Sequence, residues 1–358
     1  MNVVSQAIIR PTIELMERGL VPEFIMRKGI RRLLRQRLET LNRSWQESNS
    51  SLDEFNDRFL STAWEAPLAI ATDKANEQHY EVPAAFFDLV LGPRRKYSSC
   101  YFDSFSDDLA AAEETSLRMT CQNAQIENGM DILELGCGWG SLTLWMAEHF
   151  PDSNIVALSN SRSQREFILR QASGKGLDSR LEVITCDIKD FQIDRRFDRI
   201  VSVEMFEHVR NHRQLLDQGV AHWLRPDGKL LVHIFCHRSF CYPFETEGAS
   251  NWMGKYFFTG GMMPDQRLMS RASTKLEVDQ SWVWNGRHYE RTCNLWAANL
   301  DRHAAEARAI FRDVYGIGQE TRWLYRWKLF FLACAELFGT SQGNEWFVQH
   351  TRLTHRND

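Results

Sequence analysis

Glu134-Leu135-Gly136-Cys137-Gly138-Trp139-Gly140 (ELGCGWG) follows Asp131–Leu135 (DILEL), an apolar run of strand character, and opens a helical stretch over 141–150. Three glycines within five positions let the backbone turn tightly and approach a ligand with no Cβ in the way. Outward from this turn, strand-like and helical stretches alternate. Asn154–Leu158 (NIVAL) precedes a helix over 161–175, and Leu181–Cys186 (LEVITC) ends at Asp187. Phe197–Val203 (FDRIVSV) ends at Glu204, a helix follows over 210–224, and the turn Arg225–Gly228 leads into Lys229–Phe235 (KLLVHIF). Strands alternating with helices build parallel βαβ units. The expected fold is therefore α/β, a doubly wound Rossmann-like sheet.

The division expected along the chain is an N-terminal helical segment over 1–75, a nucleotide-binding Rossmann-like core over 76–240, and closing strands with an acceptor-binding cap over 241–358. Helices are expected in the cap near 294–315 and 319–339. The N-terminal segment reads as helical over 5–45 with a break at Gly19–Pro22. Its second half, Phe24 to Trp45, carries Arg27, Lys28, Arg31, Arg32, Arg35, Arg37 and Arg43 against the single acid Glu39. Ile30, Leu33, Leu34, Leu38 and Leu41 recur there at helical spacing. Such a helix over 24–45 suits either packing on the main domain or peripheral contact with anionic lipid.

Composition bounds the rest. The chain has 358 residues, 43 Lys and Arg against 47 Asp and Glu, and a net charge of −4. This balance gives no overall attraction for a polyanion, so no nucleic acid is expected as a partner. No stretch reaches the roughly 18 apolar residues of a membrane span, and the N-terminus lacks the pattern of a secretory signal. The eight cysteines include no C-x-x-C pair, and read as reduced thiols of a cytoplasmic protein. His233, Cys236, His237 and Cys241 lie close in sequence, but strand alternation aims neighbours at opposite faces, so no metal is expected.

Two cofactor classes use a glycine turn of this kind. A nicotinamide fingerprint has G-x-G-x-x-G and an acid roughly 20 residues on. Here Ser141 stands at the third glycine and Ser159-Asn160-Ser161 where the acid would be. The E-x-G-C-G-x-G form resembles instead the first motif of S-adenosylmethionine-dependent methyltransferases. Asp187 after the third strand, Glu204 after the fourth and Pro226-Asp227-Gly228 before the fifth fit the same class I pattern.

A narrower resemblance covers the chain from about residue 20 onward. Asn76–Pro83 (NEQHYEVP), Tyr97–Phe102 (YSSCYF), Ser159–Gln164 (SNSRSQ), Glu204–Val209 (EMFEHV), Gly260–Pro264 (GGMMP), His288–Thr292 (HYERT), Glu336–Gly339 (ELFG) and the tail EWFVQHTRL are similar to the group of cyclopropane fatty acid synthases and coclaurine-type N-methyltransferases. The resemblance implies S-adenosyl-L-methionine as cofactor, in contact with Ser98, Gly136, Gly138, Asn160, Gln164, Asp187, Ile188 and Val203, and with Tyr80 near the transferred methyl group. It implies a small-molecule amine or a lipid as acceptor, and leaves a homodimer open.

The two chemistries of the group differ in their demands. Methylating an amine needs a free lone pair on nitrogen, and the positions matching Glu204, Glu207 and His208 carry catalysis in the N-methyltransferases that this chain resembles. Cyclopropanation of a lipid alkene needs a bicarbonate ion, and its site matches Ser99, Glu207, His233 and Tyr289, with Ser99 in place of the usual cysteine. The N-terminal segment, the SNSRSQ block and the tail side with the amine. Trp327 and Phe330 are candidates for the acceptor wall. Cys334 matches a cysteine once considered a nucleophile in cyclopropane synthases, and is carried as a candidate catalytic residue, although a helical cysteine usually packs.

Overall fold

The computed structural model describes residues 11–68, 82–248 and 251–356. Seven strands form one sheet in the order β3-β2-β1-β4-β5-β9-β8. The parallel part comprises β1 (Asp131–Leu135), β2 (Asn154–Ser159), β3 (Leu181–Thr185), β4 (Phe197–Val203) and β5 (Leu224–His237). Two antiparallel strands complete it: β9 (Trp346–His355) pairs with β5, and β8 (Leu276–Trp284) pairs with β9. A small ribbon of β6 (Tyr242–Pro243) and β7 (Met262–Met263) lies apart. The order turns outward in both directions from β1 and β4. That reversal places a crevice at the carboxyl ends of these strands, where doubly wound folds bind ligands.

Helices α1 (Glu23–Glu47), α2 (Leu52–Glu65), α3 (Ala84–Val90) and α4 (Leu109–Ala124) precede β1. Between the strands run α5 (Ser141–His149), α6 (Arg162–Gly174) and the helical stretch α7 (residues 212–223). The expected turn at 225–228 is instead absorbed into β5, whose register against β4 shifts between Phe197 and Arg199. Helix α7 contains a π segment, Leu215–Val220, which periodicity alone does not reveal.

The cap is built from α8 (Gly286–Arg302), α9 (Ala304–Tyr315) and α10 (Glu320–Gly339). One helix expected near 294–315 is thus two, broken at His303, and the first starts earlier because Asn285 caps it by accepting from Arg287 N–H. An aromatic cluster fills the space beneath the cap. Phe86, Phe87, Phe257, Phe311, Trp327 and Phe331 are all fully buried in it.

Helix α1 docks on this cap. Met26 and Leu41 are buried, and Arg27 and Arg31 both donate to the carboxylate of Glu336 on α10. Arg37 donates to Asn251 Oδ1 at 3.0 Å. Glu336 is only 11% exposed. Charged hydrogen bonds of this kind contribute about 1.5–3 kcal/mol, against well under ~1 kcal/mol for a solvated surface pair. Three of the seven basic residues of the stretch are thereby committed to the domain. Among the described residues, no helix is long and apolar enough to cross a membrane.

Candidate active site

The turn after β1 takes the shape its glycines permit. Gly136, Gly138 and Gly140 all have positive φ. A Cβ on Gly136 would come within 2.8 Å of Met205 Cγ. After β2, Ser161 N–H donates to Ser159 Oγ, and that hydroxyl in turn donates to Gln164 Oε1 at 2.7 Å. This arrangement holds the buried Gln164 amide, whose Nε2 has no partner in the protein. Gly136, Gly138, Asn160, Gln164, Asp187 and Ile188 line one crevice, whose other wall is Glu204, Met205, His208 and Val209.

Glu204 directly follows β4 in a left-handed backbone conformation, φ +48°, which is uncommon for a residue with a side chain and concentrates at functional sites. Its carboxylate accepts two hydrogen bonds and faces an imidazole nitrogen. Oε1 accepts from Ser99 N–H at 2.9 Å and faces His233 Nε2 at 3.3 Å, and Oε2 accepts from the Tyr289 hydroxyl at 2.6 Å. Burial pushes Glu204 above the ordinary carboxylate range, while Lys96 and the donors pull the other way. Glu207 is fully buried. Its Oε1 accepts from Phe235 N–H at 2.8 Å and its Oε2 has no partner. Burial, and then the neighbouring Glu204 charge, drive Glu207 well above the usual range.

The positions that the resemblance assigns to a bicarbonate site therefore do not surround empty space. Ser99, His233 and Tyr289 all converge on Glu204, a residue outside that set. Ser99 reaches it through its backbone, and the Ser99 Oγ is buried with no partner. Burial keeps the Tyr289 phenol protonated, and so a donor, far above its ordinary range.

The remaining expected site residues are placed less centrally. Ser98 is buried and accepts from Lys96 Nζ at 2.6 Å, and Val203 precedes Glu204 at the half-buried end of β4. Trp327 and Phe330 lie in the aromatic cluster, with Phe330 stacked on Phe257 at 4.2 Å. Cys334 is buried on α10 beside Cys293 of α8. Tyr80 lies outside the described residues. His233 bonds to His350 and Glu204, whereas His237 lies 3.1 Å from Glu345 and Cys241 Sγ bonds to Asp265. Among the described residues, no group of three or more His, Cys, Asp or Glu is arranged to hold a metal ion.

Sequence reasoning missed Lys96. It is 2% exposed, and its backbone N–H donates to Glu113, whose carboxylate also accepts from Gly92 and Arg94 N–H. Burial lowers the Lys96 pKa, against the opposing charges of Glu204 and Glu113. Placed in the run Arg94-Arg95-Lys96, it reads as one of three solvated cations. Only its position directly before the Tyr97–Phe102 block signals otherwise.

The profile of the mycolic acid cyclopropane synthetase family matches residues 69–346. The chain belongs to the mycolic acid cyclopropane synthetase family. Within it, the sequence is 33% identical to (S)-coclaurine N-methyltransferase of Thalictrum flavum subsp. glaucum, over 97% of this chain and 96% of that one. It is 31% identical to cyclopropane-fatty-acyl-phospholipid synthase of Escherichia coli (strain K12), over 62% of this chain and 54% of that one. Among solved structures, coclaurine N-methyltransferase bound to N-methylheliamine and SAH superposes with a TM-score of 0.91 at 29% identity, covering 97% of this chain and 99% of that one. This member of the mycolic acid cyclopropane synthetase family is an S-adenosylmethionine-dependent methyltransferase with the class I fold. The crevice fits that cofactor: its glycine turn leaves the approach open, and the unpartnered Gln164 Nε2 offers a donor to a polar ligand.

Proposed function

We propose that this methyltransferase acts on the nitrogen of a small amine. The observation carrying the proposal is the Glu204 carboxylate, which already occupies the donors of Ser99 and Tyr289 and lies against His233. A built-in anion there leaves no vacancy for bicarbonate, and a fixed negative charge attracts a cationic amine. In this reading Gly136, Gly138, Asn160, Gln164, Asp187 and Ile188 hold the cofactor, flanked by Ser98 and Val203. The cofactor supplies an electrophilic methyl group for in-line transfer. Glu204 and Glu207 attract and orient the protonated amine, and His208, on the same turn, takes the proton that frees the nitrogen lone pair. Trp327 and Phe330 support the wall of the acceptor space, and Cys334 packs against Cys293 with no covalent role.

Labelled S-adenosylmethionine offered with extracts of polar amines and of lipids tests the acceptor class. Label in amine products supports the proposal, and label in acyl chains alone overturns it. A Glu207→Ala variant is expected to lose single-turnover rate with cofactor binding intact. Unchanged turnover in the double Glu207→Ala/His208→Ala variant would exclude these two residues.

A narrower partner reading concerns α1. Phe24 and Ile25 are exposed beside the exposed Lys28, Arg32 and Arg35, a combination suited to anionic lipid headgroups. Sedimentation with phosphatidylserine vesicles, reversed by salt, is the expected outcome; no sedimentation at low salt rejects it.

A further inference from the structure

His233 on β5 and His350 on β9 are directly opposed across the antiparallel ladder, so both imidazoles stand on the same face of the sheet. His233 Nδ1 and His350 Nε2 lie 2.7 Å apart, and both rings are fully buried. The chain continues in both directions. His233 Nε2 faces Glu204 Oε1 at 3.3 Å, and His350 Nδ1 lies 2.9 Å from Asn123 Nδ2, on the last turn of α4. The backbone carbonyl of Asn123 accepts from Arg352 Nη1 at 2.8 Å.

The order of hydrogens along this chain can be derived from either end. An ionised carboxylate only accepts, so His233 must carry its proton on Nε2 to bond to Glu204. Its Nδ1 is then an acceptor, His350 must donate from Nε2, and His350 Nδ1 must accept. The Asn123 amide nitrogen, which only donates, meets that need. Starting at Asn123 and moving inward gives the same order. Each neutral imidazole has one donor and one acceptor, so with Glu204 ionised and the amide nitrogen of Asn123 facing His350 this order satisfies every link.

We propose that Asn123 and His350 are positioning residues that fix the His233 tautomer, so that an N–H faces Glu204 and holds it as a carboxylate. They touch neither cofactor nor acceptor. The surroundings support neutral rings: burial, followed by the Lys96 charge, disfavours the imidazolium of His233, and burial, followed by His233 and then Lys96, disfavours that of His350. The Trp284 ring lies against both, at 5.2 Å from His233 and 4.3 Å from His350. The other groups that set the Glu204 charge are Tyr289, His208, Glu207 and Cys100. None of these reaches His233 Nδ1, so the tautomer is governed from the Asn123 side. The inference rests on the amine reading only for what Glu204 does; the tautomer itself is independent of the acceptor.

The test is histidine 15N NMR on the full chain saturated with S-adenosylhomocysteine, with no acceptor present. In the unaltered chain, His233 and His350 are both expected as the Nε2–H tautomer. Asn123→Asp replaces a donor by an acceptor of nearly the same shape. It is expected to invert both tautomers and to leave Glu204 facing a lone pair. The pH midpoint at which the His233 nitrogen shifts report Glu204 protonation should then rise by at least one unit, a tenfold change in the equilibrium. A Nδ1–H tautomer on His233 in the unaltered chain overturns the proposal, whether or not the variant folds. So does a folded Asn123→Asp chain with unchanged tautomers and midpoint. Failure to methylate any amine, with the Nε2–H tautomer in place, sinks the amine reading alone.

Discussion

The Tyr289 hydroxyl donates to Glu204 Oε2 at 2.6 Å, so a residue of the cap helix α8 holds the carboxylate that ends β4. Removing it with Tyr289→Phe leaves the ring stacked on Phe338 but takes away one donor to a buried charge. A hydrogen bond to a charged group is worth about 1.5–3 kcal/mol. The methyl-transfer rate should therefore fall about 10- to 100-fold, with S-adenosylhomocysteine affinity unchanged by calorimetry. A full-rate variant would show that Glu204 does not depend on this bond.

The paired carboxylates set an acid limit. Burial raises both Glu204 and Glu207, and their mutual repulsion raises Glu207 further. In the proposed reading the ionised form attracts the amine, so activity is lost as pH falls through the raised value. In kcat/KM against pH, the acid limb should lie above the ordinary glutamate value of 4.5 and belong to the pair as a unit. A limb at or below that value contradicts the assignment.

Glu134, inside the glycine motif, is buried on β1 and accepts from Thr143; burial lifts its pKa to about 7. Below 4.5 it is neutral in both folded and unfolded chains. As pH rises toward 7 the unfolded chain ionises first, and stability drains away. Glu134→Gln has no such loss. Its melting temperature should exceed that of the unaltered chain by a few degrees at pH 8, with the gap closing toward pH 5. A gap independent of pH would place the effect elsewhere.

Gly136→Ala puts a Cβ within 2.8 Å of Met205 Cγ, at φ +79°. The left-handed backbone alone costs a side-chain-bearing residue about 1–2 kcal/mol. Calorimetry should find S-adenosylhomocysteine bound at least about tenfold more weakly. Undiminished affinity would separate the turn from the cofactor.

That Gly136, Gly138, Asn160, Gln164, Asp187 and Ile188 would come together was readable in the sequence because the parts of their crevice are local. Glycines sit where the backbone turns, Asp187 and Glu204 lie where strands end, and Ser159 to Gln164 form their own hydrogen-bonded cap. The order β1 to β5 followed from alternation of strand and helix. What could not be read depends on distant pairings. His350 meets His233 across 117 positions of sequence, through an antiparallel strand whose place in the sheet no local pattern announces. Lys96 is buried in a loop whose Gly92, Arg94 and Lys96 N–H groups all donate to Glu113, on the next helix. Likewise, the four residues aligned with a bicarbonate site gave no hint that three of them close on Glu204.

Helix α1 lines none of the crevice, yet two of its arginines grip Glu336, two residues from Cys334 on the helix that also carries Trp327 and Phe330. Substitutions at Arg27 and Arg31 consequently alter what braces α10 without touching any side chain that lines the crevice, so the outer helix offers a place to edit that leaves the crevice lining unchanged.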